Sequence, residues 1–354
     1  MHIALAYNLR ELSATEDEPP ASAPAEAGDL YAEWDDQETI QAVAEALREK
    51  HRVSLINADL DAFEKFRTLQ PELVFNIAEG LYGASREAQI PALLEMQNLP
   101  YTGSDPATLA ICLDKGRTKE ILTQHKIPNP RFWIVRSLSE LPNRLTYPLM
   151  VKPCLEGSSK GVTDKALVHN RKELIRQVEW VLGTYGQRAL IEEFLPGREF
   201  TVALLGNGDD LTVLPIVEID FSALPEGVSP IYSYEAKWVW DTEQNPLQIF
   251  SCPAQIDTFL AGRIETICRR AFTALGCRDW CRIDVRLDAA GHPQIIELNP
   301  LPGILPRPEQ NSCFPKAARA AGLSYQQLIL CVADIAIDRV FGTQRADSES
   351  RCLL

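Results

Sequence analysis

One stretch near the C-terminal end decides the fold of this chain. It reads Arg282-Ile283-Asp284-Val285-Arg286-Leu287-Asp288, then a turn over Ala289–His292, then Pro293-Gln294-Ile295-Ile296-Glu297-Leu298-Asn299-Pro300. Both halves alternate apolar and polar residues with a period of two, and the Ala-Ala-Gly-His turn between them predicts a β-hairpin. Arg282 and Asp284 should then point to one face of the hairpin. Glu297 and Asn299 should point to the same face from the partner strand.

That face would carry three oxygen ligands and one guanidinium group. Mg²⁺ prefers carboxylate and amide oxygens together with substrate phosphate, and Asp284, Glu297 and Asn299 would supply such oxygens. Arg282 beside them would balance a developing negative charge. The alternative is an amphipathic hairpin whose polar face simply contacts water.

Length and charge bound the function. At 354 residues the chain is long enough for two or three domains, because single cores stop growing near roughly 250 to 300 residues. Its composition, 45% hydrophobic and 24% charged, is that of an ordinary globular protein. The net charge of -14 argues against nucleic acid or an anionic membrane as the main partner. A nucleotide-using enzyme with this charge needs a local basic cluster.

The nine cysteines are scattered and form no Cys-x-x-Cys pair, which fits buried free thiols in a reducing cytosol. Cys277 and Cys281 have a spacing that suggests a metal motif, but no second pair of His or Cys completes it. No signal peptide precedes the first strand, and no apolar run approaches the ~20 residues of a membrane span. We therefore expect a soluble, cytoplasmic protein.

The first hundred residues alternate strands and helices. The predicted elements are strand 1–9, helix 36–50, strand 52–57, strand 73–77 and helix 87–97. Their succession predicts a parallel sheet with helical crossovers, and hence an N-terminal α/β domain over 1–103. Residues 11–28 are rich in Pro, Ala, Ser and acidic residues, so we expect a flexible loop near 11–30.

Two further units are predicted, a central domain over 104–188 and a C-terminal domain over 189–341, followed by a frayed tail over 342–354. Their elements are helix 105–126, strand 131–135, strand 149–153, two strands over 189–202 broken at Pro196-Gly197, helix 256–275, the hairpin and helix 323–339. Residues 300–315 contain too many prolines for regular structure, so we expect a loop there.

A Gly-rich loop follows the apolar strand that ends at Lys152. It reads Glu156-Gly157-Ser158-Ser159-Lys160-Gly161-Val162. Gly and Ser let backbone N–H groups approach an anion closely, and Lys152 and Lys160 flank the loop with positive charge. An ordinary Gly-Ser turn is the alternative, so the loop alone does not define a site.

Taken together, these segments resemble the ATP-grasp superfamily and, within it, the D-alanine:D-alanine ligases. The resemblance runs from about Pro71 to Arg339, and four motifs in the family's order make it specific. They are Tyr101-Thr102-Gly103-Ser104 with Leu113-Asp114-Lys115-Gly116-Arg117-Thr118-Lys119; Val151-Lys152-Pro153 with Glu156-Gly157-Ser158-Ser159; Ile191-Glu192-Glu193-Phe194-Leu195 with Gly197-Arg198-Glu199-Phe200; and Arg282-Ile283-Asp284 with Glu297-Leu298-Asn299 and Pro302-Gly303. The implied fold is α/β (α+β), an ATP-grasp fold with an N-terminal parallel-sheet domain, a small central lid domain and a C-terminal catalytic domain.

The resemblance implies that ATP lies between the central and C-terminal domains. Lys115 and Lys152 then resemble the two phosphate lysines, although Lys115 taken alone also fits a solvated helix lysine. Glu199 resembles the carboxylate that accepts from the ribose hydroxyls. In the family the third motif opens with the strand whose backbone contacts adenine, where Phe194 and Leu195 would be apolar contacts or ordinary core. The implied nucleotide-binding set is Lys115, Lys152, Glu156, Gly157, Ser158, Ser159, Glu192, Glu193, Phe194, Leu195 and Glu199.

The implied reaction is an ADP-forming ligation of a carboxylate to an amine. The carboxylate attacks the γ-phosphorus of ATP to give an acyl phosphate, with two Mg²⁺ ions, or Mn²⁺ in their place, held by Asp284, Glu297 and Asn299. An amine then attacks the acyl carbon, and Arg282 with the Gly303 N–H would stabilise the oxyanion. The implied catalytic set is Arg282, Ser158, Gly303 and Lys237.

Three departures from the family pattern concern the substrates. The Gly-Gly-x-Ser-x-Glu turn after the first strand is absent, and Glu33, just before the first helix, is the candidate replacement for its amino-binding glutamate. The family's Tyr-Glu-Ala-Lys-Tyr ends here in Trp238, whose indole donates but cannot accept a hydrogen bond. The second-substrate loop carries an extra segment, 306–309. Ser312 falls where the carboxylate-binding serine lies, whereas Arg307 either reaches an acidic or larger acceptor or is a surface arginine.

We therefore expect a ligase that joins amino acids, or a related carboxylate and amine, other than two D-alanines. The alternatives are an authentic D-alanine:D-alanine ligase, a non-catalytic nucleotide-binding regulatory protein, and a kinase-like enzyme that stops at a phosphorylated carboxylate. The intact metal ligands argue against a binding-only protein. The expected partners are small amino-acid-like molecules and, in assembly, a second copy of the chain in a homodimer, but neither nucleic acid nor membrane.

Overall fold

The computed structural model describes residues 1–10, 33–225, 227–240 and 247–342, without the side chain of Trp238. The loop predicted near 11–30 and the tail predicted beyond Gly342 lie outside these ranges. Within them, no single helix is long and apolar enough to cross a membrane, although the helices Cys313–Ala320 and Tyr325–Phe341, bent by 98° at the break between them, pass that test as a pair.

The sheet of the N-terminal unit is parallel, as predicted, and its strand order is β2-β1-β3. Its strands are β1 (His2–Tyr7), β2 (Arg52–Asn57) and β3 (Leu73–Asn76), and its helices are α1 (Gln37–Arg48), α2 (Ala62–Leu69) and α3 (Gln89–Met96). Helix α2 was not predicted. Asp36 caps α1 by accepting a hydrogen bond from the Thr39 N–H, and α1 buries Ile40, Val43 and Leu47.

A second sheet, the central sheet, is antiparallel with the order β4-β7-β5-β6. Its elements are α4 (Pro106–Leu113), α5 (Lys115–Gln124), β4 (Phe132–Val135), β5 (Leu149–Pro153), β6 (Leu167–Val168), α6 (Arg171–Tyr185) and β7 (Ala189–Glu193). The strand β7, which opens the predicted C-terminal domain, pairs here with β4 and β5.

The continuous helix predicted over 105–126 is wrong, because the chain breaks at Asp114. This residue has extended backbone, and its side chain accepts hydrogen bonds from the N–H groups of Gly116 and Arg117. An aspartate that satisfies the free N–H groups of a first turn starts a new helix. Lys115 therefore becomes the first residue of α5.

The third sheet, the C-terminal sheet, is antiparallel with the order β11-β10-β8-β12-β13, and β9 pairs with β8. Its elements are β8 (Glu199–Leu205), β9 (Thr212–Val213), β10 (Val217–Ile219), β11 (Phe250–Ser251), α7 (Thr258–Leu275), β12 (Trp280–Leu287), β13 (Pro293–Asn299), α8 (Cys313–Ala320) and α9 (Tyr325–Phe341). The predicted hairpin is β12 with β13. The loop predicted over 300–315 ends early, at α8, because Pro315 lies in the first helical turn, where its missing N–H breaks no helical bond.

One core joins the parallel sheet to the C-terminal sheet. The ring of Trp280 makes edge contacts with Phe75 and Phe314, each at a centroid distance of 5.8 Å. Beside it, the fully buried carboxylate of Asp279 accepts from the Gly103 N–H at 2.7 Å and from Arg339 at 2.8 Å. These contacts pack the parallel sheet against the C-terminal sheet.

Candidate active site

A cavity of about 470 Å³ is lined by residues of the central sheet and the C-terminal sheet, and by residues of the N-terminal unit that lie outside its strands. All residues predicted to bind nucleotide, metal or substrate line it, except Arg307 and the undescribed side chain of Trp238. The fold therefore brings into one space residues that are more than 200 positions apart in the sequence, such as Glu33 and Glu297.

The hairpin face forms one wall of the cavity. Asp284 pairs with Glu297 and Arg282 with Asn299, and a β-bulge follows Asp284. The Asn299 amide donates to Asp284 at 3.2 Å, and Arg282 donates to both oxygens of Asp284 at 3.2 and 3.1 Å. Thr201 on β8 also donates to Asp284. Two carboxylates and an amide oxygen, already balanced by cationic side chains, form a donor set that fits a hard divalent cation.

Lys115 joins this wall to the Gly-rich loop. Its ammonium lies 3.0 Å from the Glu297 carboxylate and also donates to the Glu156 carbonyl. The side chain is buried, because the helix start at Asp114 directs it into the cavity instead of into solvent. The fold does not support the solvated-lysine alternative for Lys115.

Lys152 shares a buried carboxylate with a lysine that the sequence analysis missed. Glu192 on β7 contacts Lys152 through one oxygen and Lys119 through the other, the latter at 2.8 Å. Burial would raise the pKa of Glu192, but the two ammonium groups lower it to about 2. The signal was present, because Lys119 follows Lys115 by four positions and therefore lies on the same face of α5.

Glu199 also has a partner that was not predicted. Arg286 on β12 donates to Glu199 at 3.0 Å, and its guanidinium carbon lies 4.8 Å from the centroid of the Phe194 ring. Burial raises the pKa of Glu199 despite this cation. Arg286 continues the period-two face of Arg282 and Asp284, so the hairpin pattern could have identified it.

The Gly-rich loop is held in an uncommon backbone conformation. Ser158 and Ser159 have φ of 50° and 61°, in the left-handed region that costs a non-glycine residue about 1 to 2 kcal/mol. The Ser159 hydroxyl donates to the Tyr232 carbonyl at 3.0 Å, and Ser158 accepts from Lys237 at 3.2 Å. These contacts tie the loop to the segment that carries Lys237.

Glu33 lies beside this loop, but its carboxylate is already fully engaged. Arg86, which was not predicted, donates to both oxygens at 2.8 to 3.2 Å, and Lys160 donates at 3.1 Å. The Gly157 N–H donates at 2.9 Å, and any Cβ at Gly157 would lie 2.4 Å from the carboxylate. Burial opposes the charge of Glu33, yet the two cations lower its pKa. Lys160, predicted to flank a phosphate, is thus bound to Glu33 and, at 2.7 Å, to Glu156.

Three other carboxylates line the same end of the cavity: those of Asp35, Glu79 and Glu87. Within the described ranges none of them accepts a hydrogen bond or forms a salt bridge. Burial, followed by repulsion from Asp36, raises the pKa of Asp35 to about 7. Burial likewise raises the pKa of Glu87 to about 7 and that of Glu79 well above its usual range. These acids and Glu33 form what we term the substrate end; Lys152, Glu192, Glu199 and Arg286 form the nucleotide end.

The predicted acceptor residues divide between cavity and surface. Burial lowers the pKa of Lys237 to about 8. The Ser312 hydroxyl donates to the Gly303 carbonyl at 3.0 Å, which joins the two ends of the Pro-rich loop. Arg307 lies outside the cavity wall and pairs with Glu38 at 3.0 Å, with nearly half of each side chain exposed.

Comparison with known proteins gives consistent matches. A family model described as "D-ala D-ala ligase C-terminus" matches residues 122–333. The D-alanine--D-alanine ligase of Bordetella petrii is 33% identical over 345 residues, which cover 94% of this chain and 98% of the relative. An uncharacterized protein of Sinorhizobium fredii, y4sG, is 37% identical over 318 residues, 87% of this chain and 90% of its own.

A crystal structure of the D-alanine--D-alanine ligase from Bacillus anthracis, complexed with ATP, has the same fold. Its TM-score is 0.70 at 22% identity, and the match covers 96% of this chain and 97% of that one. Fold and matches together define an ATP-grasp ligase, an enzyme that forms a C–N bond. Within that class, this chain belongs to the D-alanine:D-alanine ligase family. The predicted resemblance and fold class are confirmed.

Proposed function

We propose that this enzyme uses ATP and a divalent cation to join the carboxylate of one amino-acid-like substrate to the amine of another, releasing ADP. The observation that carries the proposal is the convergence of Asp284, Glu297 and Asn299 on one wall, where Lys115 from α5 reaches Glu297 at 3.0 Å. Oxygen ligands on one wall and an ammonium group on the other suit a metal-bound triphosphate.

The residues at the nucleotide end would each hold one part of ATP. Lys115 and Lys152 would neutralise phosphate oxygens, and the Glu199 carboxylate would accept from the ribose hydroxyls. Asp284, Glu297 and Asn299 would hold two Mg²⁺ ions, which offset the charge on the phosphates during transfer. The strand β7 would present its backbone to adenine, with Phe194 and Leu195 as apolar contacts.

The two chemical steps would use the hairpin and the Pro-rich loop. Attack of the first carboxylate on the γ-phosphorus gives an acyl phosphate and ADP. The amine then attacks the acyl carbon, and Arg282 with the Gly303 N–H would stabilise the oxyanion, an effect commonly worth about 3 kcal/mol per donor. Collapse of this intermediate breaks the bond to phosphate, so the amide forms, inorganic phosphate leaves and the amine nitrogen gives up a proton. Lys237, tied to Ser158, would hold the carboxylate of the acceptor.

We infer that the ammonium group of the first substrate is held by Asp35, Glu79 and Glu87, and not by Glu33. Glu33 already accepts hydrogen bonds from Arg86, Lys160 and a backbone N–H. The three other acids line the same end without a partner in the described ranges, so a substrate ammonium would offset their buried charge. This difference from the family pattern supports substrates other than two D-alanines.

The test is product formation from a panel of substrates. Purified protein is incubated with ATP, Mg²⁺ and pairs of D-amino acids, L-amino acids and diamino acids, with ADP release and product mass as readouts. We expect ADP release to depend on both substrates, and at least one pair to react more than roughly tenfold faster than two D-alanines, a difference of about 1.4 kcal/mol in transition-state binding.

A second candidate function, authentic D-alanine:D-alanine ligase, is favoured by the matched relative of that name. The same panel distinguishes the two, since D-alanyl-D-alanine formed faster than every other product would establish this candidate. ADP release without any amide product would instead indicate a carboxylate kinase.

A further inference from the structure

Lys119 is a buried lysine that the chemistry described so far does not use. Its side chain on α5 has no exposed surface, and it is not part of the cavity wall. Burial lowers the pKa of Lys119, because an ammonium group loses its hydration inside a protein. A lysine in such a place costs stability unless a carboxylate compensates it.

The compensating carboxylate is Glu192, which Lys119 shares with Lys152. Each ammonium contacts a different oxygen of Glu192, with Lys119 at 2.8 Å. Glu192 is itself buried, so water screens the three charges weakly. Two ammonium groups and one carboxylate leave this group with a net charge of about +1.

Without Lys119 the balance would change. Lys152 and Glu192 would form a neutral pair, and both oxygens of Glu192 would be free to bind the Lys152 ammonium. Lys152 would then offer less charge, and fewer free N–H donors, to an anion in the cavity. Lys119 would thus act on a cavity residue through Glu192, without itself lining the cavity.

We propose that Lys119 is a positioning residue for the nucleotide: by occupying one oxygen of Glu192, it keeps the charge of Lys152 available to the phosphates of ATP. The inference rests on the proposed role of Lys152 as a phosphate lysine. It differs from a purely structural role of Lys119, because it concerns the phosphates and not the adenosine part of the ligand.

The experiment compares ATP with adenosine, which has no phosphate. Calorimetry gives the Kd of both ligands for the wild type and for Lys119→Met. We expect Lys119→Met to weaken ATP binding roughly tenfold, since one buried charge near the phosphates is lost. Adenosine binding should stay within twofold. Lys172→Met, which removes an exposed lysine on α6, is the matched control and should change neither Kd.

A double variant tests the charge argument directly. Lys119→Met with Glu192→Gln removes one charge of each sign, so the net charge of the group returns to that of the wild type. The ratio of adenosine Kd to ATP Kd should then recover most of its wild-type value. This variant also removes the uncompensated buried carboxylate, so it provides a folded protein if Lys119→Met alone is unstable.

The outcomes separate this inference from the proposed function. Equal losses of ATP and adenosine affinity in Lys119→Met, or no recovery in the double variant, would overturn the inference and leave a structural role for Lys119. Unchanged ATP affinity in Lys119→Met would do the same. A wild-type protein that fails to bind ATP would overturn the proposed function, and the inference with it.

Discussion

The two ends of the cavity differ in whether their acidic side chains have cationic partners. At the nucleotide end every acid has a cationic partner: Glu192 has Lys119 and Lys152, and Glu199 has Arg286. At the substrate end Asp35, Glu79 and Glu87 have raised pKa values and no hydrogen-bond partner in the described ranges. Glu33 alone is compensated there.

This difference indicates how the charges at each end respond to ligand binding. A site whose charges are already paired is preorganised, and its ligand replaces little. Partly buried acids without a cationic partner instead tend to take up protons, as their raised pKa values indicate, and a bound cation would favour their charged form. The acids of the nucleotide end are therefore paired before a ligand binds, whereas those of the substrate end would find a cationic partner only in the substrate.

The largest effect should come from the hairpin wall that both ends share. Glu297→Gln should lower kcat by at least roughly a thousandfold, because one metal-binding charge is lost while the side-chain volume is kept. Steady-state ADP release measures the effect, and thermal unfolding should show an intact fold. The control is Glu120→Gln, an exposed position on α5. Full activity in Glu297→Gln would show that Glu297 is not an essential metal ligand.

The next effect concerns Lys237, which faces the substrates. Lys237→Met should lower kcat/KM for the acceptor roughly ten- to a hundredfold, the range expected for a hydrogen bond to a charged group. The lysine pKa is lowered to about 8, so its ammonium is present below that pH and lost above it. In the wild type, kcat/KM for the acceptor should therefore decline as the pH rises through 8.

Lys237→Arg is the companion variant, because a guanidinium stays charged throughout this range. It should move the decline to higher pH even if its kcat/KM is lower at neutral pH. A wild-type profile that stays flat to pH 10 would contradict the role of Lys237 in binding the acceptor.

A smaller effect should distinguish the substrate end from the nucleotide end. Glu79→Gln should raise KM for the first substrate roughly tenfold and leave KM for ATP within twofold, because glutamine cannot become the carboxylate that would pair with the substrate ammonium. Both values follow from initial rates in which one substrate is varied at a time. A change in the ATP value alone would mean that the two ends are misassigned.

The smallest effect is on stability. The pKa of Asp35 is raised to about 7 in the folded protein, so the folded state binds this proton more tightly than the unfolded state. Its contribution to stability is therefore present at low pH and is lost as the pH rises from the usual aspartate range towards 7. Asp35→Asn should raise the Tm by about 2 to 4 °C at pH 8 and not at pH 4. An equal shift at both pH values would contradict an uncompensated charge.

The sequence predicted the hairpin face because strand periodicity is local: Asp284 and Glu297 share a face whatever surrounds them. It did not predict that Arg86 would neutralise Glu33, since these residues are 53 positions apart and only the tertiary fold brings them together. The break at Asp114 was missed for a different reason. The polar residues 114–120 fit either the exposed face of one long helix or the first turn of a new one, and only the extended backbone of Asp114 shows that a second helix begins there.

Lys119 and Arg286 fall between these cases. Their spacing placed them on the correct faces, but charged residues on a helix or strand usually contact water, so the pattern carried no sign of burial. Burial is a property of the assembled sheets. The partners of buried charges are therefore the part of this site that is hardest to predict from the sequence.

The hydrogen bonds of Asp279 have a consequence for the catalytic cycle. Gly103 ends the N-terminal unit and Arg339 lies on α9, so the buried carboxylate of Asp279, directly before β12, holds the N-terminal unit and α9 together. The hairpin wall and the substrate end are thus linked through one shared core. We expect the central sheet to move relative to the N-terminal unit and the C-terminal sheet during the catalytic cycle. This movement would open the cavity for ligands to enter and for ADP to leave.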